Sequence, residues 1–191
     1  MPSDKNTQTL IKKLDKGAGK WYNIPSKRKE AEKMPRVCSF TGHRVIADFH
    51  RERIQGLIGT AIKYAYVSGC REFLCGGALG FDTLAAKEII KFRLSHRDVR
   101  LVLCLPCVDQ ADAWGEESRE MYSYILESAD EVIYASDSYT PICMRERNFL
   151  LASRCDILIA YYGRQRSGTG QTVRMADSMG KEIINLYEAA P

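Results

Sequence analysis

From Arg36 onward, short apolar runs alternate with longer stretches in which apolar residues recur every three or four positions. The short runs predict strands at Arg36–Phe40, Glu72–Cys75, Arg100–Leu105, Glu131–Ala135, Ile157–Tyr162 and Glu182–Tyr187. The longer stretches predict helices at Asp48–Val67, Asp82–Ser95, Glu116–Glu127, Ile142–Arg154 and Gln171–Met179, because a 3.6-residue period places their apolar side chains on one face. In the first of these helices Ile54, Leu57, Ile58, Ala61, Ile62 and Ala65 form that face, and Ser68-Gly69 stops it. The run from Leu101 to Leu105 is apolar without alternation, as expected of a strand covered on both sides. Strands alternating with helices in this way predict an α/β fold: a doubly wound, mostly parallel sheet with helices on both faces.

The pattern is absent before Arg36. Residues 1–36 carry ten Lys/Arg and four Asp/Glu, and the remaining 155 carry 18 and 20. The formal charge of +4 therefore resides in an N-terminal arm, and the body is slightly acidic. The division expected is a basic, flexible arm over 1–35 and one domain over 36–191. The arm suits a solvated tail, or a nucleic-acid contact in which Trp21 and Tyr22 stack on bases. The body alone has no electrostatic footprint of a nucleic-acid binder.

Composition narrows the setting. No uncharged stretch exceeds nine residues, the length of Phe73–Phe81, whereas a membrane-spanning helix needs about 20. No apolar leader opens the chain, so no membrane association and a cytoplasmic location are expected. Seven cysteines, most of them inside apolar runs, fit small core residues in a reduced compartment. Cys104-Leu105-Pro106-Cys107 has redox spacing, but it closes a strand instead of opening a helix, and no second pair completes a zinc site.

Candidate chemistry gathers where predicted strands end. Thr41-Gly42-His43-Arg44 follows the first strand, and Arg44 suits a bidentate grip on phosphate, with the Ser39 and Thr41 hydroxyls as further donors. Gly76-Gly77-Ala78-Leu79-Gly80-Phe81-Asp82 follows the second; its glycines let backbone N–H groups approach an anion, although the spacing is neither a dinucleotide fingerprint nor a Walker loop. Asp82 would repel a phosphate beside it, so it either caps the helix or accepts a ribose hydroxyl. Near the start of the fourth helix, Met144, Arg147 and Asn148 share a face. The stretch Ser167-Gly168-Thr169-Gly170 precedes the last helix and builds an anion nest. Trp114, in the loop 106–115, is expected to pack on the domain. His50 and His96 are expected at the surface, and His43 joins the site by position. No nucleophile elbow, paired-His helix or acidic cluster is present in the sequence, so no catalytic group and no metal site are assigned.

These motifs, in this order, resemble the SLOG superfamily, and within it the YpsA-like branch of small bacterial and prophage proteins. The residues that carry the likeness are Ser39 to Arg44, Gly76 to Thr83, Leu105-Pro106-Cys107, Tyr139-Thr140-Pro141, Cys143-Met144, Arg147-Asn148 and Ser167 to Val173. The resemblance covers Arg36 to the end. It implies a Rossmann-like sheet, no cofactor beyond a nucleotide-type ligand, and a role as a sensor or enzyme acting on nucleotide derivatives. A homodimer is the common state among such relatives. Two distant relatives offer alternatives. The cytokinin-activating LOG phosphoribohydrolases carry Met-x-x-Arg-Lys and a Gly-Gly-x-Gly-Thr-x-x-Glu loop; Met144, Arg147, Gly168 and Thr169 match, but Asn148 replaces the Lys and Thr172 the acid/base Glu. That Glu is worth a typical ~10²–10⁴-fold as a general acid–base group. DprA, a single-stranded DNA binder, is matched by Gly76–Asp82 and Arg147-Asn148. The expected site is Thr41, Gly42, His43, Arg44, Gly76, Gly77, Gly80, Asp82, Arg147, Asn148, Ser167, Gly168, Thr169 and Gly170. It would hold a nucleotide or nucleotide-derived phosphate as a sensor or regulatory module.

Overall fold

The computed structural model describes residues 34–163 and 166–188; the expectations for the arm and for Arg164 and Gln165 lie outside the described residues. Six strands, β1 (Arg36–Gly42), β2 (Cys70–Cys75), β3 (Arg100–Leu105), β4 (Glu131–Tyr134), β5 (Ile157–Tyr161) and β6 (Glu182–Asn185), form one sheet in the order β4-β3-β2-β1-β5-β6. Every pairing is parallel, so the mostly parallel sheet is parallel throughout. The helices are α1 (Arg51–Val67), α2 (Phe81–Arg93), α3 (Glu116–Ser128), α4 (Cys143–Arg154) and α5 (Gly168–Ser178).

The two sheet faces are separate cores. Cys38, Phe40, Phe73, Leu101, Leu103, Ile157 and Ile159 point to the side covered by α1, α2 and α3, where Ile58, Ile62, Ala85, Ile89 and Ile125 meet them. The intervening positions Leu74, Val102, Cys104 and Leu158 face α4 and α5 through Leu151, Ala152 and Ala176. The one-residue alternation of a strand therefore decides which helix layer each side chain reaches. Ser39 lies on the second face and its hydroxyl donates to the Leu151 carbonyl at 2.8 Å, which takes it out of the site it was expected to join. All seven cysteines are buried free thiols. Trp114 packs edge-on against Tyr122.

Three local differences from the pattern have identifiable causes. The stretch Asp48–His50 is a 3-10 turn that precedes α1. His50, expected at the surface, is 1% exposed. It lies with Nδ1 2.8 Å from the Tyr161 hydroxyl, which also accepts the Ala47 N–H; the inward-facing tyrosine at the end of β5 supplies a polar partner inside the core. His96 is half-buried, stacked on Phe92. The last helix begins at Gly168, three residues before the expected start, because Ser167 caps it by accepting the Gly170 N–H at 3.2 Å.

The order of the strands fixes where a ligand can sit. The chain runs outward from β1 to β4 and then returns through α4 to β5 on the other side of β1. The segment after β1 leads to α1 on one face, and the segment after β5 leads to α5 on the other. A crevice opens between them at the carboxyl ends, as at any such reversal of strand order.

Gly80 holds two of the rim turns together. Its φ of +78° is rare for a residue with a side chain, and a Cβ there would lie 2.1 Å from the Arg44 carbonyl oxygen. Gly80→Ala is therefore expected to destabilise the domain by about 3 kcal/mol or more, since left-handed strain alone costs about 1–3 kcal/mol. Gly56→Ala, on α1 with open space around it, should stabilise by up to about 1 kcal/mol. Urea unfolding of both variants checks the opposite signs.

Candidate functional site

The crevice is a cleft of about 320 Å³ lined by Thr41, Gly42, His43 and Arg44 after β1, Ala78 and Asp82 after β2, Met144, Arg147 and Asn148 on α4, and Ser167, Gly168 and Thr169 at the start of α5. Four separated sequence motifs thus meet in one place. Gly76, Gly77, Gly80 and Gly170 do not line it. The first three bring the walls together instead. The Gly76 carbonyl accepts Arg147 Nη1 at 2.6 Å, the Gly77 carbonyl accepts Gln110 Nε2 at 3.0 Å, and Gly80 seats against Arg44. The Gly170 N–H is engaged by the Ser167 cap. The backbone donors left at this helix start are those of Gly168 and Thr169, where the helix dipole is positive.

At the floor of the cleft is a buried ion pair. Arg147 Nη1 lies 3.8 Å from Asp82 Oδ2, and the two side chains are 11% and 5% exposed. Arg147 also donates from Nε to Asn148 Oδ1 at 3.0 Å, and Asn148 Nδ2 reaches the Gly168 carbonyl at 3.4 Å. The chain of contacts therefore runs from the β2 turn through α4 to the first turn of α5. A Cβ on Gly76 would fall 2.1 Å from Arg147 Nη1 and 2.6 Å from Asp82 Oδ2, so the pair is seated against backbone that has room only for hydrogen. Arg147, expected to grip phosphate, is in large part committed inside the protein.

Asp82 is not fully satisfied. Its Oδ2 takes the Ala78 N–H at 3.4 Å; its Oδ1 is buried without a hydrogen-bond partner. It does not act as the side-chain cap of α2, whose N-cap is Gly80. Burial pushes its carboxyl up to about 6, against the pull of the Arg147 charge, the Ala78 and Gly42 N–H groups and the Arg44 charge. Burial also lowers Arg147, with Asp82 opposing.

The upper rim is set by His43 and Arg44. His43 Nε2 accepts the Gly163 N–H at 3.1 Å, which places the ring proton on Nδ1 in the neutral form. Burial lowers its pKa, in line with that tautomer. Arg44 is exposed at the mouth and makes no ion pair among the described residues. Ala78 was not among the expected residues; the signal for it was its place four residues before Asp82, close enough to return an N–H to that carboxylate. Met144 was expected on the same helix face as Arg147 and lines the cleft with it. Among the described residues, no group of three or more His, Cys, Asp or Glu could hold a metal ion, and no helix is long and apolar enough to cross a membrane.

Comparison with known proteins follows the same core. A model described as the YspA SLOG family matches residues 46–184. A UPF0398 protein of Bacillus anthracis (strain A0248) is 27% identical over 126 residues, which is 64% of this chain and 68% of that protein. A UPF0398 protein of Bacillus thuringiensis (strain Al Hakam) is 26% identical over 121 residues, 62% of this chain and 66% of that protein. Among solved structures, DNA processing protein A (DprA) of Streptococcus pneumoniae aligns with a TM-score of 0.56 at 18% identity, covering 78% of this chain and 49% of that one. The Helicobacter pylori DprA structure, described for its single-stranded DNA binding mode, aligns with the same TM-score and identity over 78% of this chain and 64% of that one. This chain thus spans about half the length of the first of these structures and under two thirds of the second, and the likeness is one of fold.

The raised carboxyl of Asp82 has a definite sign in stability. With a folded value near 6 against 3.8 unfolded, its contribution is fully favourable below about 4 and is lost as pH rises through 6. Asp82→Asn, which mimics the protonated form at every pH, should gain on the wild-type protein by about 3 kcal/mol between pH 4 and pH 7. Denaturant unfolding of the two proteins across that range tests this; a constant difference would mean that the carboxyl titrates normally.

Proposed function

We propose that this chain, which belongs to the YspA SLOG family, binds a nucleotide or nucleotide-derived phosphate at the carboxyl edge of its sheet and acts as a sensor or regulatory module. The observation that carries this reading is the convergence of the four motifs on one cleft with an anion-favouring end. The Gly168 and Thr169 N–H groups at the start of α5, and Arg44 at the mouth, suit a phosphate. Thr41 and Thr169 line the same cleft and add hydroxyls. The cleft volume of about 320 Å³ sits at the small end of the ~300–1,000 Å³ usual for small-molecule sites, which favours a mononucleotide over a dinucleotide.

Binding is favoured over turnover by what occupies position 172. Where the LOG-type loop has its acid/base Glu, Thr172 is fully buried and its hydroxyl donates to the Gly168 carbonyl at 3.2 Å. Its side chain is tied into its own helix and is absent from the cleft lining. The single-stranded DNA reading draws on the fold shared with DprA; the body's slight excess of acidic residues gives it no support.

Thermal-shift measurements with the nucleoside 5′-monophosphates test the proposal directly. A ligand at 100 times its Kd should stabilise the protein by about 2.7 kcal/mol. Arg44→Ala should weaken binding at least about threefold and leave the unliganded Tm within a degree or two, since an exposed ion contact is worth about 0.2–1 kcal/mol. No stabilisation by any mononucleotide would reject the reading. Release of free base, abolished in Arg147→Ala, would replace the sensor by a hydrolase.

A further inference from the structure

We infer that the cleft selects a ribose with free hydroxyls, and that Asp82 Oδ1 is the acceptor that reads them. The inference rests on the ligand site proposed above and deepens it. Asp82 is 95% buried by side chain, reckoned from its 5% exposure, and it lines the cleft. One of its oxygens has no hydrogen-bond partner. A buried carboxylate oxygen left unpaired is costly, and a native protein retains such a group where a ligand completes it.

No group of the described residues is in hydrogen-bond geometry with Oδ1, although the Gly42 N–H is directed at the carboxylate and favours its charged form. Arg147 is engaged with Gly76 and Asn148 and approaches only the other oxygen, Oδ2. The Ala78 N–H also goes to Oδ2. Arg44, the other cation of the cleft, is exposed and not ion-paired to Asp82. An O–H on a ligand seated in the cleft would supply the partner that this oxygen lacks.

The two ends of the cleft then have opposite demands. The start of α5 offers backbone N–H groups and a positive dipole, and accepts an anion. The Asp82 end rejects an anion and accepts a hydrogen-bond donor. A ribonucleoside monophosphate presents a phosphate and, one sugar ring away, a cis-diol. A deoxynucleotide within a DNA strand presents neither hydroxyl, because the 2′ position is bare and the 3′ oxygen is esterified. A free 2′-hydroxyl is what separates RNA-type from DNA-type sugars at a protein site.

The experiment compares, on the full chain, the ribonucleoside 5′-monophosphates with their 2′-deoxy and 2′,3′-dideoxy counterparts, and with oligodeoxythymidine, by calorimetric titration. The wild-type protein should bind at least one ribonucleotide at least about tenfold more tightly than its dideoxy form, the scale of one hydrogen bond to a charged group. In Asp82→Asn, where the acceptor is no longer charged, that preference should shrink to less than about threefold. Equal affinity for ribo and dideoxy forms in the wild-type protein would overturn the inference and leave nucleotide binding standing. A preference unchanged in Asp82→Asn would overturn it as well, by assigning the hydroxyl to another residue. Oligodeoxythymidine competing for the cleft as well as the ribonucleotide would do the same. If no mononucleotide binds at all, the underlying reading fails together with this one.

Discussion

The architecture of the rim depends on the buried pair of Asp82 and Arg147. Each belongs to a different helix, and both press on the hydrogen-only face of Gly76. Taking two charges out of water costs several kcal/mol per ion, and their attraction repays this only with good geometry and further hydrogen bonds. Arg147 has those bonds, to Gly76 and to Asn148. Asp82 has them on one oxygen only. The pair therefore holds α4 against the β2 turn while one of its members remains incompletely satisfied. Asn148 extends the connection to Gly168, so the geometry of the α5 start follows from the same contact.

Much of the fold was legible in the sequence because its signal is local. Strands with both faces covered are apolar in nearly every position, and the helices carry one apolar face each. The α/β alternation then leaves little freedom in the architecture. The cleft was legible for a related reason: short polar and glycine-containing stretches after strands can only gather at one edge of a parallel sheet. What could not be read was the direction of individual side chains. Ser39 shares the face of Thr41 but lies two residues deeper in the strand, beneath α4, where its hydroxyl goes to the Leu151 carbonyl. His50 looked like a surface residue because its partner, Tyr161, lies more than a hundred positions away in the chain. The glycines of the second turn read as an anion cradle. Their use is steric: they let Arg147, Leu105 and the Arg44 backbone come closer than any side chain would permit.

The two halves of the cleft were therefore recognisable in unequal degree. The anion-favouring half follows from rules about helix starts, and Ser167-Gly168-Thr169 announces it. The acidic half depends on a long-range pairing between the second and fourth motifs. A lone aspartate near an expected phosphate posed a contradiction that the sequence left open. The pairing with Arg147 resolves half of it by lowering the cost of the buried charge, and Oδ1 is left without a hydrogen-bond partner.

Asp82 carries a stability cost that the Arg147 charge only partly offsets. Its carboxyl is pushed up to about 6, so near neutral pH the fold bears the cost of an ionised group that burial disfavours. Replacing it would relieve that cost but leave the buried Arg147 charge without its partner. Residues that lower stability while sitting in a concave site are the ones whose function outweighs their cost. The contrast with Thr172 sharpens the argument. That residue occupies the position of an acid/base group in a related loop, yet here it is buried and bonded to its own helix. The cleft thus keeps an acidic side chain at Asp82, while position 172 is a buried threonine.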